Sequence, residues 1–215
     1  MAPRGTSPPR KAAGDRPPLA SRRAPSKVRL SRDDWVHAAL LAIAEGGTAA
    51  VAVELLAARL GATKGSFYWH FRDRQELIEA ALATWERNAT DEIIAELESV
   101  ADPMERLRSA LVVAMDLEED EYPDVRLLPS ATDPLIAPVA ARVQKKRLAF
   151  LARCFRGMGF PPAESRRRAR LANSIYIGWF HQRLVEGEGH ATPRQRTDYQ
   201  RAALKLLTAR LESDV

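Results

Sequence analysis

The sequence contains one cysteine and four histidines, and these low numbers exclude several kinds of site. Cys154 has no second cysteine with which to form an internal disulfide or a cysteine-based zinc site. The histidines at positions 37, 70, 181 and 190 lack the spacing of metal ligands. No apolar run approaches the ~18 residues of a membrane span, and none follows the N-terminal arginines as in a secretory signal. We therefore expect a cytoplasmic protein without a metal or cofactor.

Catalytic motifs are also missing from the sequence. Neither Gly157-Met-Gly159 nor Gly187-Glu-Gly189 continues to the third glycine of a dinucleotide-binding loop. There is no Gly-x-Ser-x-Gly elbow, and Cys154 lacks a local nucleophile signature. The sequence therefore predicts a protein that is not an enzyme.

Charge is distributed unevenly along the chain. The net charge is +5, but residues 1–30 carry eight basic residues and one acid, so the remaining chain is net −2. Six prolines and few large apolar residues accompany these charges, so we predict a disordered basic tail over 1–30. Basic tails of this kind can add non-specific affinity for DNA.

The remaining chain also separates its charges into two segments. Residues 86–124 carry 13 acids and three basic residues, whereas 142–170 carry ten basic residues and one acid. We expect two solvated faces that attract each other across the domain. The alternative is an anion site or second DNA site formed by Arg166, Arg167, Arg168 and Arg170.

Helical periodicity extends over most of the chain from Ser31 onward. Val36, Ala39, Leu40 and Ile43 repeat on one face of a first helix. Capping residues, glycines and prolines predict further helices over 54–60, 63–71, 73–99, 138–156, 162–186 and 193–211, with another beginning at 103. No segment alternates with period two. We predict an all-α protein of about nine helices.

A helix-turn-helix pattern lies between residues 54 and 71. Two short helices are separated by a glycine turn at Gly61, and Thr63 is placed to cap the second helix. Phe67 and Phe71 share one face of that helix and are predicted to pack inward. The other faces present residues that can bind phosphate, sugar or base edges. These predicted DNA-binding residues are Thr63, Lys64, Gly65, Ser66, Tyr68, Trp69 and His70, with Arg74 at the start of the next helix.

The segment Gly61-Ala-Thr-Lys-Gly-Ser-Phe-Tyr-Trp-His-Phe71, followed by Asp73-Arg-Gln-Glu-Leu77, resembles the signature of TetR/AcrR-type transcriptional regulators. The resemblance covers residues 31–78 and implies a three-helix DNA-binding domain there. It also implies a C-terminal helical domain over 79–215 that dimerises and binds a small effector. By position, Lys64, Tyr68 and His70 match DNA-contacting positions of the family.

The sequence offers candidates for both functions of the C-terminal domain. An apolar or aromatic effector would be lined by Met and aromatic residues, which are also common in ordinary cores. The candidate pocket residues are Trp85, Met104, Leu111, Met115, Phe150, Cys154, Met158, Tyr176, Trp179 and His181. The candidate dimer interface comprises Ala172, Ile175, Tyr176, Trp179, Tyr199, Ala203, Leu206 and Leu207, although burial inside one chain is an alternative for some of them.

Two positions depart from the family pattern. Arg74 stands where members commonly have Lys, and because arginine keeps the charge we expect its DNA contact to survive. The second helix usually begins with Ser or Thr, whose hydroxyl caps the helix and touches phosphate, and here Ala52 takes that place. We expect a ligand-responsive repressor that binds a near-palindromic operator as a homodimer. The alternative is a helical interaction protein that regulates through a protein partner, and the loss at Ala52 favours it.

Overall fold

The computed structural model describes residues 30–116, 132–186 and 191–210, apart from a few side chains near residue 184. Within these ranges all regular structure is helical, which confirms the all-α prediction. The α-helices are α1 Arg32–Gly46, α2 Val53–Arg59, α3 Lys64–Tyr68, α4 Arg74–Glu86, α5 Ile93–Glu98, α6 Pro103–Asp116, α7 Ile136–Gly157, α8 Pro162–Glu186 and α9 Pro193–Thr208. The predicted tail and most of the proline-broken segment 122–138 lie outside the described residues.

A π-helical segment, Arg87–Glu92, joins α4 to α5. The two helices therefore form one continuous rod, as the prediction of a single helix over 73–99 requires. A short 3₁₀ turn, Thr48–Ala50, connects α1 to α2. None of the described helices combines the length and the apolar composition needed to cross a bilayer.

The predicted helix starts are formed by side-chain caps. Ser31 and Asp34 form a complete capping box at α1, and Thr192 does the same with Gln195 at α9. Asp102 accepts the backbone N–H of Glu105 at 3.0 Å at the start of α6. Each of these contacts satisfies a backbone group that a helix end leaves unpaired.

Two local predictions differ from the structure. At α4, Asp73 caps the helix, but the Glu76 carboxylate accepts from the backbone N–H of Arg72 at 2.9 Å, so the expected capping box is only half formed. The third helix ends at Tyr68 rather than near Phe71. Its last turn tightens where the His70 N–H donates to the carbonyl of Phe67, a bond of the 3₁₀ type.

The apolar side chains form two cores. The N-terminal core contains the large buried side chains of α1 to α4, and Ile136, Ala140 and Val143 of α7 join it. The C-terminal core contains residues of α5 to α9, including Phe150 and Phe155 of the same α7. Helix α7 and the α4–α5 rod therefore cross from one core to the other, and the N-terminal core extends past the predicted boundary at residue 78.

The two charged faces pair with each other across the chain. Arg142 and Lys146 of α7 lie 2.7 and 2.9 Å from the Glu86 carboxylate. The hydrogen bond from Arg142 is the main reason that the pKa of Glu86 lies below its usual value. Arg153 pairs in the same way with Glu98. The prediction of two faces that attract each other is confirmed.

One of the four arginines of the alternative anion site is buried. The Arg168 side chain is buried, and its guanidinium donates to the Glu164 carboxylate and to the carbonyl of Leu207. The same guanidinium lies 4.2 Å from the centre of the Phe160 ring. These contacts give Arg168 a structural role that joins α8 to the end of α9.

Candidate DNA-binding and ligand-binding sites

The buried face of α3 fixes the orientation of the whole helix. Phe67 is fully buried and contacts the Trp35 ring edge-on at 5.5 Å between ring centroids. Phe71 stacks on Phe67 at 5.6 Å. Since these rings lock one side of a five-residue helix into the N-terminal core, the remaining sides are directed outward.

The turn before α3 is formed by the two residues predicted for it, Gly61 and Thr63. Gly61 has a φ of +62°, a conformation that side-chain-bearing residues rarely adopt. Thr63 then caps α3, because its hydroxyl accepts the Ser66 backbone N–H at 3.3 Å. The chain thereby changes direction sharply, and α3 is presented at the surface as a separate short helix.

The outward faces of α3 carry exposed groups suited to DNA. Trp69 is 85% exposed and Tyr68 is 56% exposed, which is unusual for aromatic residues with no ligand. Lys64 and Gly65 are exposed beside them. A cation and a phenol on α3 and an indole at its C-cap therefore lie close together in sequence, where they can reach phosphates and base edges.

Nearby acids already pair with the cations of this region. Lys64 lies 2.5 Å from Glu54 of α2, and Arg59 lies 2.9 Å from Glu45 of α1. The hydrogen bond that Lys64 donates to the Glu54 carboxylate raises the pKa of Lys64. Because both pairs are exposed, phosphate oxygens can replace the carboxylates. Both acids lie earlier in the chain than the helix-turn-helix motif cations that they contact.

Two further predicted DNA-binding residues contact the protein itself. Arg74 donates from Nε to the carbonyl of Val51 at 2.6 Å and also to the carbonyl of Thr48, so it holds the α1–α2 connection onto α4. A ring nitrogen of His70 lies 3.1 Å from the carbonyl of Leu30. Direct DNA contact by either side chain remains a prediction.

Helix α2 begins without a side-chain cap. Ala52 occupies the N-cap position with φ −99° and ψ 122°, and its side chain makes no capping hydrogen bond. The backbone still has the geometry that a Ser or Thr cap would need. The departure from the family pattern therefore concerns the side chain and not the shape of the turn.

A mostly apolar cavity of about 90 Å³ lies at the C-terminal core, and Ala89 of the N-terminal core also lines it. Its walls come from the π-helical segment and from α5, α6, α7 and α8. The polar residues of the lining are Thr90, Arg147, Asn173 and Tyr176. Arg147 donates to the Thr90 hydroxyl at 3.1 Å and to the carbonyl of Ala89 at 2.8 Å.

The candidate pocket residues are distributed between the cavity, the cores and the surface. Leu111, Phe150 and Tyr176 line the cavity. The other seven candidates are Trp85 in the N-terminal core, Met115, Cys154, Met158 and Trp179 in or against the C-terminal core, and Met104 and His181 at the surface. Burial raises the pKa of the Cys154 thiol to about 11, which suits a packed thiol and not a reactive one.

Sequence reasoning missed Thr90, Arg147 and Asn173 as cavity residues. Thr90 and Arg147 lie in segments that appeared to be solvated faces. Asn173 interrupts the apolar stripe of α8 directly after Ala172, and a polar residue on a buried face is the signal that could have identified it.

The predicted dimer stripes are largely buried inside the chain. Trp179 of α8 and Tyr199 of α9 contact each other at 4.5 Å between ring centroids. Burial within one chain also holds for Ala172, Tyr176, Ala203 and Leu207, and Ile175 is half-buried. Leu206 is 73% exposed, and Leu171 and Val185 of α8 are exposed as well. These three side chains are the apolar surface that α8 and α9 leave available in the described residues.

The fold and this surface define a class of protein. The second helix of this helix-turn-helix is anchored by buried rings and carries exposed groups that can contact DNA. DNA-binding regulators use a helix-turn-helix of this kind. Residues 36–81 match the family of bacterial regulatory proteins named the tetR family. The chain therefore contains a DNA-binding helix-turn-helix domain of the type found in TetR-family transcriptional regulators.

Relatives and solved structures agree with this assignment. An uncharacterized HTH-type transcriptional regulator, TtgW of Pseudomonas putida, is 24% identical over 113 residues, which is 46% of this chain and 84% of TtgW. SmeT, the repressor of the Stenotrophomonas maltophilia multidrug efflux pump SmeDEF, is 21% identical with a TM-score of 0.59, over 85% of this chain and 90% of SmeT.

A further solved structure contains both ligand and DNA. AibR, in complex with isovaleryl coenzyme A and operator DNA, is 17% identical with a TM-score of 0.60, over 81% of this chain and 96% of AibR. At these identities the likeness of the two solved structures to this chain concerns the fold.

Proposed function

We propose that this chain is a cytoplasmic, ligand-responsive repressor that binds a near-palindromic operator as a homodimer and is released by a small effector. The single observation that carries DNA recognition is the exposure of Lys64, Tyr68 and Trp69 around a helix anchored by Phe67. Two such helices, related by a two-fold axis, would read half-sites about one helical turn apart. SmeT is a repressor and AibR binds an acyl coenzyme A together with its operator, and both support the proposal.

Release by an effector is consistent with the position of the cavity. It touches the π-helical segment, which continues directly into α4 and the N-terminal core. A ligand that binds one arrangement of this rod more tightly would shift the spacing of the two DNA-binding domains.

Operator binding is tested by mobility shift on the DNA upstream of the gene. Replacing Lys64 and Tyr68 by Ala should weaken operator binding and reduce the salt slope by roughly one unit per lost phosphate contact. Lys205→Ala, an exposed lysine of α9 far along the chain, is the matched control and should bind normally. Wild-type affinity in the double variant would show that α3 is not the reading helix.

The second candidate is a regulator that acts through a protein partner, and the uncapped Ala52 favours it. It predicts that the wild-type chain shows no preference for its upstream DNA over a scrambled duplex.

The proposed homodimer is tested by sedimentation of wild type and Leu206→Glu. A charge at this exposed position should disrupt an apolar interface between copies of the chain.

A further inference from the structure

The lining of the cavity combines a large apolar surface with one charged group. Of its described lining residues, Arg147 is the charged one, and eleven of fifteen are aliphatic side chains or Phe150. A guanidinium offers only donors, so it suits a ligand group that accepts hydrogen bonds and not a cationic one. A ligand with a negative group would instead form a charge-assisted hydrogen bond.

Asn173 adds a second polar group to the cavity. The residue lines the cavity and is 6% exposed. A side-chain amide can donate to a carboxylate oxygen. A ligand oxygen placed between the Asn173 amide and the Arg147 guanidinium would accept from both.

The size of the cavity limits the ligand. Its volume is about 90 Å³, whereas an apolar cavity of about 150 Å³ accommodates benzene. Pockets for drug-sized ligands have about 300 Å³ or more, so an apolar or aromatic effector of that size does not fit unless the walls move. A branched chain of a few carbon atoms suits the available volume.

We propose that this cavity binds a short-chain apolar monocarboxylate, with the carboxylate held by Arg147 and Asn173 and the hydrocarbon among Ile94, Leu111 and Phe150. The claim that such a carboxylate is the effector rests on the proposed function. The claim that the cavity binds it does not.

The same arginine also connects the ligand to the DNA-binding domain. Arg147 holds α7 against Ala89 and Thr90 of the π-helical segment, at the boundary between the two cores. A bound carboxylate would replace the Thr90 hydroxyl as the group that accepts from the Arg147 guanidinium. The ligand therefore acts on a contact that helps set the register of the α4–α5 rod.

Calorimetric titration of the full-length protein with 2-methylpropanoate tests the ligand class. The matched probes 2-methylpropanamide and 2-methylpropylamine carry the same branched hydrocarbon with a neutral and a positive group. We expect the carboxylate to bind and both others to bind at least about tenfold more weakly. Equal binding of the amide, binding of the amine alone, or no binding by the carboxylate would each overturn the proposal.

Variants of two arginines on α7 locate the site. Arg147→Met should weaken 2-methylpropanoate binding by about 10- to 100-fold. Arg153→Met is the control, because Arg153 pairs with Glu98 and is not part of the cavity lining. It should change affinity less than about twofold. Equal losses in both variants would place the carboxylate elsewhere.

Asn173→Leu provides a readout that does not depend on the arginine variants being folded. Leucine has a similar volume but no donor, so the variant should weaken carboxylate binding several-fold while the ligand-free protein keeps a cooperative thermal transition. A folded variant with unchanged affinity would contradict the role given to Asn173.

Separate measurements distinguish this proposal from the proposed function. Calorimetry uses protein without DNA, so it reports on the cavity alone. Carboxylate binding with no effect on operator affinity would retain the site and reject its role as the effector site. Normal operator binding with no carboxylate binding would retain the regulator and reject the ligand class.

Discussion

Two aromatic residues on α3 show how neighbouring positions can serve stability and recognition separately. Phe67 is fully buried between Trp35 and Phe71, whereas Trp69 is almost entirely exposed. Helical geometry turns each residue by about 100° relative to the last, so positions two apart face nearly opposite sides. The consecutive aromatic residues of the motif therefore cannot all be core.

This separation predicts opposite effects of truncating the two residues. Phe67→Ala should lower the free energy of unfolding by about 3–5 kcal/mol because it leaves a cavity in the N-terminal core. Trp69→Ala should change it by less than about 0.5 kcal/mol and weaken operator binding. Urea unfolding and mobility shift measure the two effects. A large loss of stability in Trp69→Ala would mean that the indole packs against the protein.

At the scale of single elements, the sequence predicted helix starts well because the signal is local. A cap and the N–H group that it satisfies lie two or three residues apart, as for Ser31 with Asp34 and Thr192 with Gln195. The half-formed box at Asp73 shows the limit of this reasoning. Glu76 turns instead to Arg72, whose guanidinium and backbone N–H both donate to it.

The uncapped start of α2 predicts a stabilising substitution. Ala52→Ser should raise the free energy of unfolding by about 1 kcal/mol, because the backbone at this position has the extended geometry of an N-cap. Ala58→Ser, at an exposed position inside the same helix, is the control and should lose a few tenths of a kcal/mol. Urea denaturation checks both. No gain at Ala52 would mean that the hydroxyl does not reach the first-turn N–H groups.

The contact between α4 and α7 predicts a pH-dependent stability. Glu86 is only 12% exposed and pairs with Arg142 and Lys146, and the hydrogen bond from Arg142 chiefly lowers its pKa. A lowered carboxyl pKa stabilises the folded state above the ordinary glutamate value of 4.5, and this contribution is lost as the pH falls through the lower folded value.

Glu86→Gln should therefore cost about 1 kcal/mol at pH 7, and the difference from wild type should shrink below pH 4.5. Thermal unfolding at several pH values measures it. Glu79→Gln on the same helix, whose carboxylate accepts from Gln75, should show a much smaller effect. A difference that grows toward low pH would have the wrong sign for this ion pair.

At the scale of the whole molecule, the sequence could predict the helices and the reading helix but not the contacts between distant segments. Periodicity and capping identify helices because they depend on neighbouring residues. The pairing of Glu86 with Arg142 joins residues 56 positions apart, and the acids near Lys64 come from an earlier helix. Likewise, the cavity residues Thr90, Arg147 and Asn173 come from three elements that only the tertiary fold brings together.

A second long-range contact joins the DNA-binding domain to the start of α7. The buried Thr48 hydroxyl donates to the carboxylate of Asp133, which also accepts the Leu135 N–H at 2.9 Å. The hydrogen bond from Thr48 is the main cause of the lowered pKa of Asp133. Arg74 holds the carbonyl of the same Thr48. Thr48 thus links the start of α7 to Arg74 of α4.

This connection predicts that Thr48 and Asp133 are energetically coupled. Thr48→Val keeps the shape of the side chain but leaves the Asp133 carboxylate short of a donor, so it should cost about 1–3 kcal/mol of unfolding free energy. Asp133→Asn weakens the same bond. In a double-mutant cycle the combined loss should fall short of the sum by about 1 kcal/mol, because either change alone removes the shared interaction. Pairing Thr48→Val with Arg153→Met, which lies at the far end of α7, should give additive losses. Additivity in the first cycle would show that the two domains are held together by apolar packing around Ile136 and not by this polar contact.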